Sequence, residues 1–465
     1  MILVTGATGK VGGQVVAQLR EMGVEVRGLT RRPEREWEVY GDLGDPATLD
    51  AALEGVDRVF LVWPTLRADA HAEAVLKKIT DRVRRVVYLS SAGAVDGADP
   101  VNSSHRMIEG LLRDSGVEWT FVRGGGFAGN DLGWAAGIRA DGVVREAFGG
   151  WARSVVHEAD LAAVGVRALL DDAHVGAAYA VTGPRVHTQQ ERVRIIGEVI
   201  GRPLRFEEVP AEEAKAGFAA WLPPEAVDAT FTEMLTMTAE AEPVSTAVEE
   251  LTGRPARTYR EWVLDHRDDF APPVVEMTLD IACSWSYLGF NRLRKALERY
   301  RAEGGRAEVV FRPYQLAPEV TTPEPLTRVH ERAFGPEAAA ATEQMTGLGA
   351  AEGIAYRFDR ALFANTFEAH RLIALASAQG RGEAMTERLF RAYFGEGRDV
   401  SDRATLRELA AETGVTWSDE GADELRAELA KVRVSGVPVF AARGRTLSGA
   451  QGEDTLYDLV TGQSR

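Results

Sequence analysis

A single cysteine, Cys283, stands in 465 residues. No disulfide can close within one chain, so dithiol redox chemistry is excluded at that level. Long apolar runs are absent too. No stretch reaches the roughly 18 apolar residues of a membrane-spanning helix. Positive charge is short: 54 Lys and Arg face 70 Asp and Glu, for a net charge of -16. That balance argues against nucleic acid or an anionic membrane as a partner, since both require a basic surface. The acidity itself needs no explanation beyond solubility. A strand that begins at Ile2 leaves no room for a charged leader and an apolar signal core, which predicts a cytoplasmic location. No metal site is predicted.

What remains is an ordinary globular balance, 45% hydrophobic and 27% charged. The length is too great for one core and predicts more than one domain. From Ile2 to about Phe270 strand and helix patterns alternate, which predicts an α/β fold with a doubly wound parallel sheet. Ala271-Pro272-Pro273 interrupts. Proline lacks a donor and disfavours helix before it, so residues 271–273 read as a linker between domains 1–270 and 274–465. Val274 to Leu279 is a fresh strand, and a strand-helix-strand unit follows. Thr327 to about Leu429 is helical in pattern, and Ala338 to Ala341 is a helical alanine run. Val439-Phe440 and Arg445 to Leu447 predict a closing hairpin with Gly444 near its turn.

The strand Ile2 to Thr5 runs at once into Gly6-Ala7-Thr8-Gly9-Lys10-Val11-Gly12, and Val15, Val16 and Leu19 follow at helical spacing. Strand, glycine turn and helix together give a glycine motif its meaning. The glycines allow a tight turn and a close approach to a pyrophosphate. The helix start offers N–H groups and the positive end of its dipole. Gly6, Thr8, Gly9, Lys10, Val11 and Gly12 are therefore the expected dinucleotide cradle. The next strand, Val24 to Leu29, ends in Thr30-Arg31-Arg32, where NAD-specific sites usually carry an acid. Arg31 and Arg32 suit a 2′-phosphate and predict NADPH as the cofactor. A solvated arginine pair on a loop is the structural alternative.

These pieces resemble the NmrA-like, atypical short-chain dehydrogenase/reductase family. Further matches are Gly41-Asp42-Leu43-Gly44-Asp45, Val59 to Pro64, Leu89 to Gly93, His105 to Glu109, Trp119 to Arg123 with Phe127 and Asn130, His157 to Ala162, and Leu251 to Thr258 with Trp262. The resemblance covers nearly all of residues 1–270. It implies that Asp42 meets the adenine, and that the loop after Val62 and the segment from Ser90 lie beside the nicotinamide. One departure stands out. The wider superfamily uses a Tyr-x-x-x-Lys acid, yet no tyrosine or lysine lies between Ser90 and Arg123. Tyr88 sits inside an apolar strand, where a core role is expected. His105 is the nearest residue able to act as an acid near neutral pH, with helix packing as the alternative. Hydride transfer to a quinone-like acceptor, or NADP sensing without turnover, both fit.

After the joint comes Asp280-Ile281-Ala282-Cys283-Ser284-Trp285-Ser286-Tyr287-Leu288-Gly289. With Phe311-Arg312-Pro313, Asn365-Thr366, Ala369-His370-Arg371, Leu389 to Phe394, Gly436 to Phe440 and Ser448 to Gln451, this half resembles DsbA-like thioredoxin-fold proteins. That group includes FrnE-type proteins and 2-hydroxychromene-2-carboxylate isomerases. The resemblance implies a thioredoxin-like fold with a helical insertion and a cis-proline loop at Val437-Pro438 facing the sulfur. The redox members carry two cysteines and the isomerase members two serines; Cys283 with Ser286 is intermediate. A thiol where a strand runs into a helix is expected to have a lowered pKa. Cys283 and Ser286 are thus the expected catalytic pair. Trp285, Asn365, His370, Val437 and Pro438 are the expected substrate contacts, although helix packing would also explain Asn365 and His370.

The expectation is a bifunctional small-molecule enzyme. One half reduces a small aromatic or quinone-like substrate with NADPH, and the other performs a thiol- or serine-assisted isomerisation or addition. Both families occur among tailoring enzymes of aromatic polyketide pathways. The rival is an NADP(H)-sensing regulator whose second half binds a partner protein. A homo-oligomer is compatible with either.

Overall fold

Ile2-Leu3-Val4 forms β1, and all three residues are buried, as befits a strand covered on both faces. The computed structural model describes residues 1–64, 71–95, 100–218, 227–228, 231–232 and 243–462. The chain divides into two units, Met1–Ala271 and Pro272–Arg465.

In the first unit, β1 leads through the glycine turn into helix α1, Lys10–Glu21, which buries Val11, Val15, Val16 and Leu19. The strands β2 (Val26–Thr30), β3 (Glu38–Tyr40), β4 (Arg58–Leu61), β5 (Arg85–Ser91) and β6 (Glu118–Gly124) then join β1 in one sheet. Strand Ala177–Val181 completes it. The order is β3-β2-β1-β4-β5-β6 and then Ala177–Val181, seven strands with every pairing parallel. Strand order reverses between β1 and β4, and the crevice beyond the strand ends at such a point is where this architecture binds ligands.

Alternate residues of each strand feed opposite cores. Val4, Phe60, Val87 and Val122 pack with α1 and the Glu158–Leu170 helix. Leu3, Leu61, Tyr88 and Phe121 fill the other face. A separate cluster around Ile138, Val144, Ile196, Trp262 and Phe270 supports two small pairings beyond the main sheet. One joins Val143–Glu146 to Arg205–Glu208 in parallel. The other joins Ala152–Arg153 to His187–Thr188 antiparallel.

In the second unit Val274–Leu279 is an inner strand, parallel to Glu308–Pro313 and antiparallel to Val439–Ala442. Arg445–Ser448 closes the sheet as the predicted hairpin. Arg443 and Gly444 both adopt positive φ, 50° and 71°, as a two-residue hairpin turn that matches the strand twist requires. Helix Ser284–Ala302 follows the first strand and packs on Glu453–Thr461. Helices between Leu326 and Lys431 form the insertion, which includes a π-helical turn at Arg391–Glu396. Among the described residues no helix is long and apolar enough to cross a membrane.

Candidate functional site

The glycine turn is fastened from below. Thr5 Oγ1 donates to Val62 O at 2.8 Å and accepts from Val62 N at 2.7 Å, which locks the ends of β1 and β4 together. Gly6 turns with φ +59°, a conformation L side chains rarely adopt. Gly9 N donates back to Gly6 O at 2.9 Å. A Cβ on Gly12 would stand 2.2 Å from Gly6 O, so only glycine lets α1 pass this close to the turn. Thr8, Gly9 and Lys10 are exposed at the crest while Val11 and Gly12 are buried beneath. Gly9 caps α1 without a side-chain hydrogen bond. The first-turn N–H groups thus face an open crest of small residues, a fit for a dinucleotide pyrophosphate. Lys10 Nζ bonds to Gly129 O and ties the crest to the segment after β6.

At the end of β2, Arg31 and Arg32 are exposed, and among the described residues neither guanidinium forms an ion pair. The site also contains a residue that sequence reading passed over. Trp37 lies across Gly28 and beside Ala7, with the guanidinium groups of Arg20 and Arg35 at 5.5 and 5.4 Å from its ring centre. Asp42 is half-buried, and its Oδ1 accepts from Gly44 N at 2.8 Å. That bond shapes the turn and leaves Oδ2 for a ligand.

The carboxyl end of β5 carries Ser90, fully inside. Its hydroxyl donates to Glu109 Oε1 at 2.7 Å. Arg123 grips the same carboxylate through both Nε and Nη2, at 2.9 and 2.6 Å. Burial would raise the Glu109 pKa, but the bonds from Arg123 and Ser90 and the nearby charge of Arg113 more than offset it and leave it lowered. Tyr88 is in the core as expected. Burial and then the Glu109 charge push its phenol well up, and its hydroxyl meets His105 Nδ1 at 2.7 Å. His105 thus braces Tyr88, and Ser90 is a buried anchor.

In the second unit Cys283 caps helix Ser284–Ala302, opposite a cis Val437–Pro438 peptide. Its Sγ lies 3.6 Å from Val437 O. The expected lowering of its pKa is overturned. Cys283 is only 9% exposed, and burial pushes the thiol up. Bonds from Ser286 and the Trp285 amide pull the other way, while the Asp280 charge adds to the rise. Desolvation outweighs the helix terminus because the sulfur is roofed by the proline loop.

Ser286 is fully buried, with Oγ 3.4 Å from Asp280 N. Asp280, also fully buried, accepts from Leu316 N at 2.6 Å and has His370 Nε2 3.4 Å from Oδ1. His370 Nε2 also donates to Tyr314 O at 2.8 Å. Asn365 braces the loops around it. Its amide donates to Pro318 O, and its carbonyl accepts from Gln315 Nε2 and Phe367 N. Trp285, by contrast, is 46% exposed beside the thiol. A cavity of about 420 Å³ lies along strand Glu308–Pro313, with Phe311, Pro313, His370 and Leu425 in its wall. Nothing in the residue order marks Asp280 as part of this group; a buried acid is invisible until its neighbours are known.

Comparison with known proteins agrees with this division. Residues 6–172 match the NAD(P)H-binding family model, and residues 274–461 match the DSBA-like thioredoxin domain. A (4-alkanoyl-5-oxo-2,5-dihydrofuran-3-yl)methyl phosphate reductase from Streptomyces griseus is 44% identical over 285 residues, which is 58% of this chain and 100% of that protein. An NAD(P)H azoreductase from Xenophilus azovorans is 33% identical, covering 58% of this chain and 99% of its own. Quinone oxidoreductase 2 of Escherichia coli is 26% identical, over 48% of this chain and 81% of its own. The chain is an NAD(P)H-dependent oxidoreductase, and it belongs to the NmrA-like short-chain reductase family through its first unit and to the DsbA-like thioredoxin family through its second.

Proposed function

We propose that the first unit uses NADPH to reduce a small conjugated acceptor of the quinone-like or aromatic type. The observation that carries this reading is at the end of β5. Ser90 is committed to Glu109 and Tyr88 to His105, and no Tyr-Lys acid replaces them. A simple ketone needs a strong general acid for its alkoxide. A quinone, an azo bond or an unsaturated lactone forms a stabilised anion and takes its proton from water. The names of the relatives point to such groups, and in one of them the unsaturated lactone carries a methyl phosphate substituent. Bound NADPH would supply the hydride. The chain's part is to hold the pyrophosphate on the α1 terminus, pair the 2′-phosphate with Arg31 and Arg32, and keep the acceptor against the ends of β5 and β6.

The second unit holds a substrate or product beside Cys283 and Ser286, with Trp285 as an exposed aromatic face and His370 in the cavity wall. A thiol whose pKa burial raises, with the Asp280 charge adding to the rise, supports proton transfer, hence isomerisation, over thiolate addition. The absence of a disulfide partner fits a cytoplasmic setting.

The test is NADPH oxidation with a panel of quinones, azo dyes and simple ketones, beside titration of both cofactors. Turnover of the conjugated acceptors is expected. Arg31→Ala/Arg32→Ala should weaken NADPH by about 10–100-fold, the worth of charge-assisted bonds of about 1.5–3 kcal/mol, while moving NADH far less. Equal loss for both cofactors, or ketones as the sole substrates, would refute the reading. NADPH binding with no turnover would favour the sensing regulator.

A further inference from the structure

We propose that Tyr393 is a positioning residue of the Cys283 site, its buried hydroxyl reaching the sulfur through one bridging water. The inference rests on the proton-transfer reading of the second unit and deepens it.

Tyr393 belongs to the π-helical turn Arg391–Glu396, which continues helix Gly382–Phe390. Such a widened turn re-aims the side chains it carries and recurs at functional sites. Gly397 closes it with φ +71°, where a Cβ would stand 2.6 Å from Arg360 Cβ and 2.7 Å from Arg360 O. Aromatic contacts press the turn against the start of the Cys283 helix. Phe390 stacks on Tyr287 with ring centres 4.8 Å apart, and Phe394 lies 6.1 Å from the same ring. Phe394 also meets Tyr356 edge-on at 5.2 Å. Tyr287 is one helical turn on from Cys283, and its amide donates to Cys283 O at 3.1 Å. Tyr356 donates its hydroxyl to Ser284 O at 2.6 Å. The turn is thus fastened to the first helical turn beside the thiol.

Tyr393 itself is fully buried. Burial, and then the charges of Asp280, Cys283 and Asp399, push its phenol well up. The hydroxyl therefore keeps its proton and sits in the field of the Asp280–Cys283 pair.

That hydroxyl has no use in the fold. Tyr88, Tyr259 and Tyr356 commit theirs to His105, Asp131 and Ser284 O. Among the described residues, Tyr393 is the one tyrosine whose hydroxyl is buried without a hydrogen-bond partner. A phenylalanine would fill the same space and avoid the desolvation. A buried hydroxyl that no protein group meets is met by an ordered water. Asp399 is engaged by Ser401, through its amide and hydroxyl at 2.8 and 2.6 Å. Asp280 accepts from Leu316 N and Ala282 N, with His370 beside Oδ1. The anion of the Cys283 sulfur is favoured by the Ser286 hydroxyl and by the Ser286 and Trp285 amides. A water held by Tyr393 adds a fourth donor, which offsets part of the cost of burial.

The test is the pH dependence of iodoacetamide labelling of Cys283 in the full chain, with a thermal melt beside it. Tyr393→Phe removes the hydroxyl and keeps the ring, so the melting temperature should stay near that of the wild type. The labelling midpoint should rise by about half a unit and labelling at neutral pH should slow about threefold, as loss of a donor to the charged form requires. Tyr457→Phe is the control, since its hydroxyl is bonded to Glu303, and its midpoint should not move. An unchanged or lowered midpoint in Tyr393→Phe overturns the proposal, whether or not the melt changes. So does an equal rise in Tyr457→Phe. Should Tyr393→Phe fail to fold, Tyr393→Met, which also lacks the donor, decides on the same readout. No turnover is read, so the two ideas fail separately. A shifted midpoint in a unit that isomerises no substrate removes only the proton-transfer reading. Isomerisation with no shift removes only the role of Tyr393.

Discussion

Gly12→Ala puts one methyl group where the structure has no room for it. The new Cβ would lie 2.2 Å from Gly6 O, 2.7 Å from Gly6 C and 3.0 Å from Thr5 O. All three are backbone atoms, so no side chain can swing aside. Either α1 shifts outward or the turn opens, by about 1 Å, to restore normal van der Waals contact. Overpacking of this kind costs about 1–3 kcal/mol. At roughly 2–4 °C per kcal/mol for a domain of this size, the first transition should fall by about 2–12 °C. The same shift carries the first-turn N–H groups off the pyrophosphate, and NADPH affinity should drop at least tenfold. Gly13→Ala is the matched control, because its Cβ would meet Ala7 O at an ordinary 3.5 Å. Thermal melts with and without NADPH, beside fluorescence titration, read both effects. If Gly12→Ala melts and binds like Gly13→Ala, the turn is not held as described and the cradle argument fails.

The first unit should lose stability as pH rises past neutrality. The Glu158 carboxylate, with help from Asp269, raises the His266 pKa against the cost of burial. A raised folded pKa contributes stability that is full below the unfolded value of about 6.5 and is lost as pH climbs through the folded value. His266→Gln should therefore destabilise at pH 5.5 and converge with the wild type at high pH; a gap that widens upward contradicts the pairing. Iodoacetamide should label Cys283 slowly at neutral pH, with a midpoint above the free thiol value of about 8.5; a lower midpoint would restore the thiolate reading. Finally, cleavage between Ala271 and Pro272 should leave two soluble pieces, each with its own core. Circular dichroism of the separated pieces checks this, and two unfolded pieces would show that the units depend on each other.

The local devices were legible from residue order alone. A glycine run between an apolar strand and an amphipathic helix has one common geometry, and Gly6 and Gly12 show why in their φ and contacts. The hairpin at Arg443–Gly444 and the strand-to-helix step at Cys283 depend on neighbours a few residues away. The parallel sheet followed from alternating patterns, although β2 runs from Val26 to Thr30 where Val24 to Leu29 was expected. Strand ends there depend on pairing with Glu38–Tyr40 as much as on the strand's own residues.

Only the tertiary structure decided the state of the chemical groups. The Cys283 thiol is pushed up by burial, in a fold where its Sγ meets a carbonyl 154 residues away, and desolvation acts through whatever is nearest in space. Ser90 and Tyr88 lose their availability to Glu109 and His105, which reach them from a helix one turn apart. Asn365 is tied to Pro318, Gln315 and Phe367, contacts that residue order alone does not show. Backbone conformation is set by a residue and its near neighbours, whereas charge, protonation and access are set by packing, and packing joins residues that the sequence keeps apart.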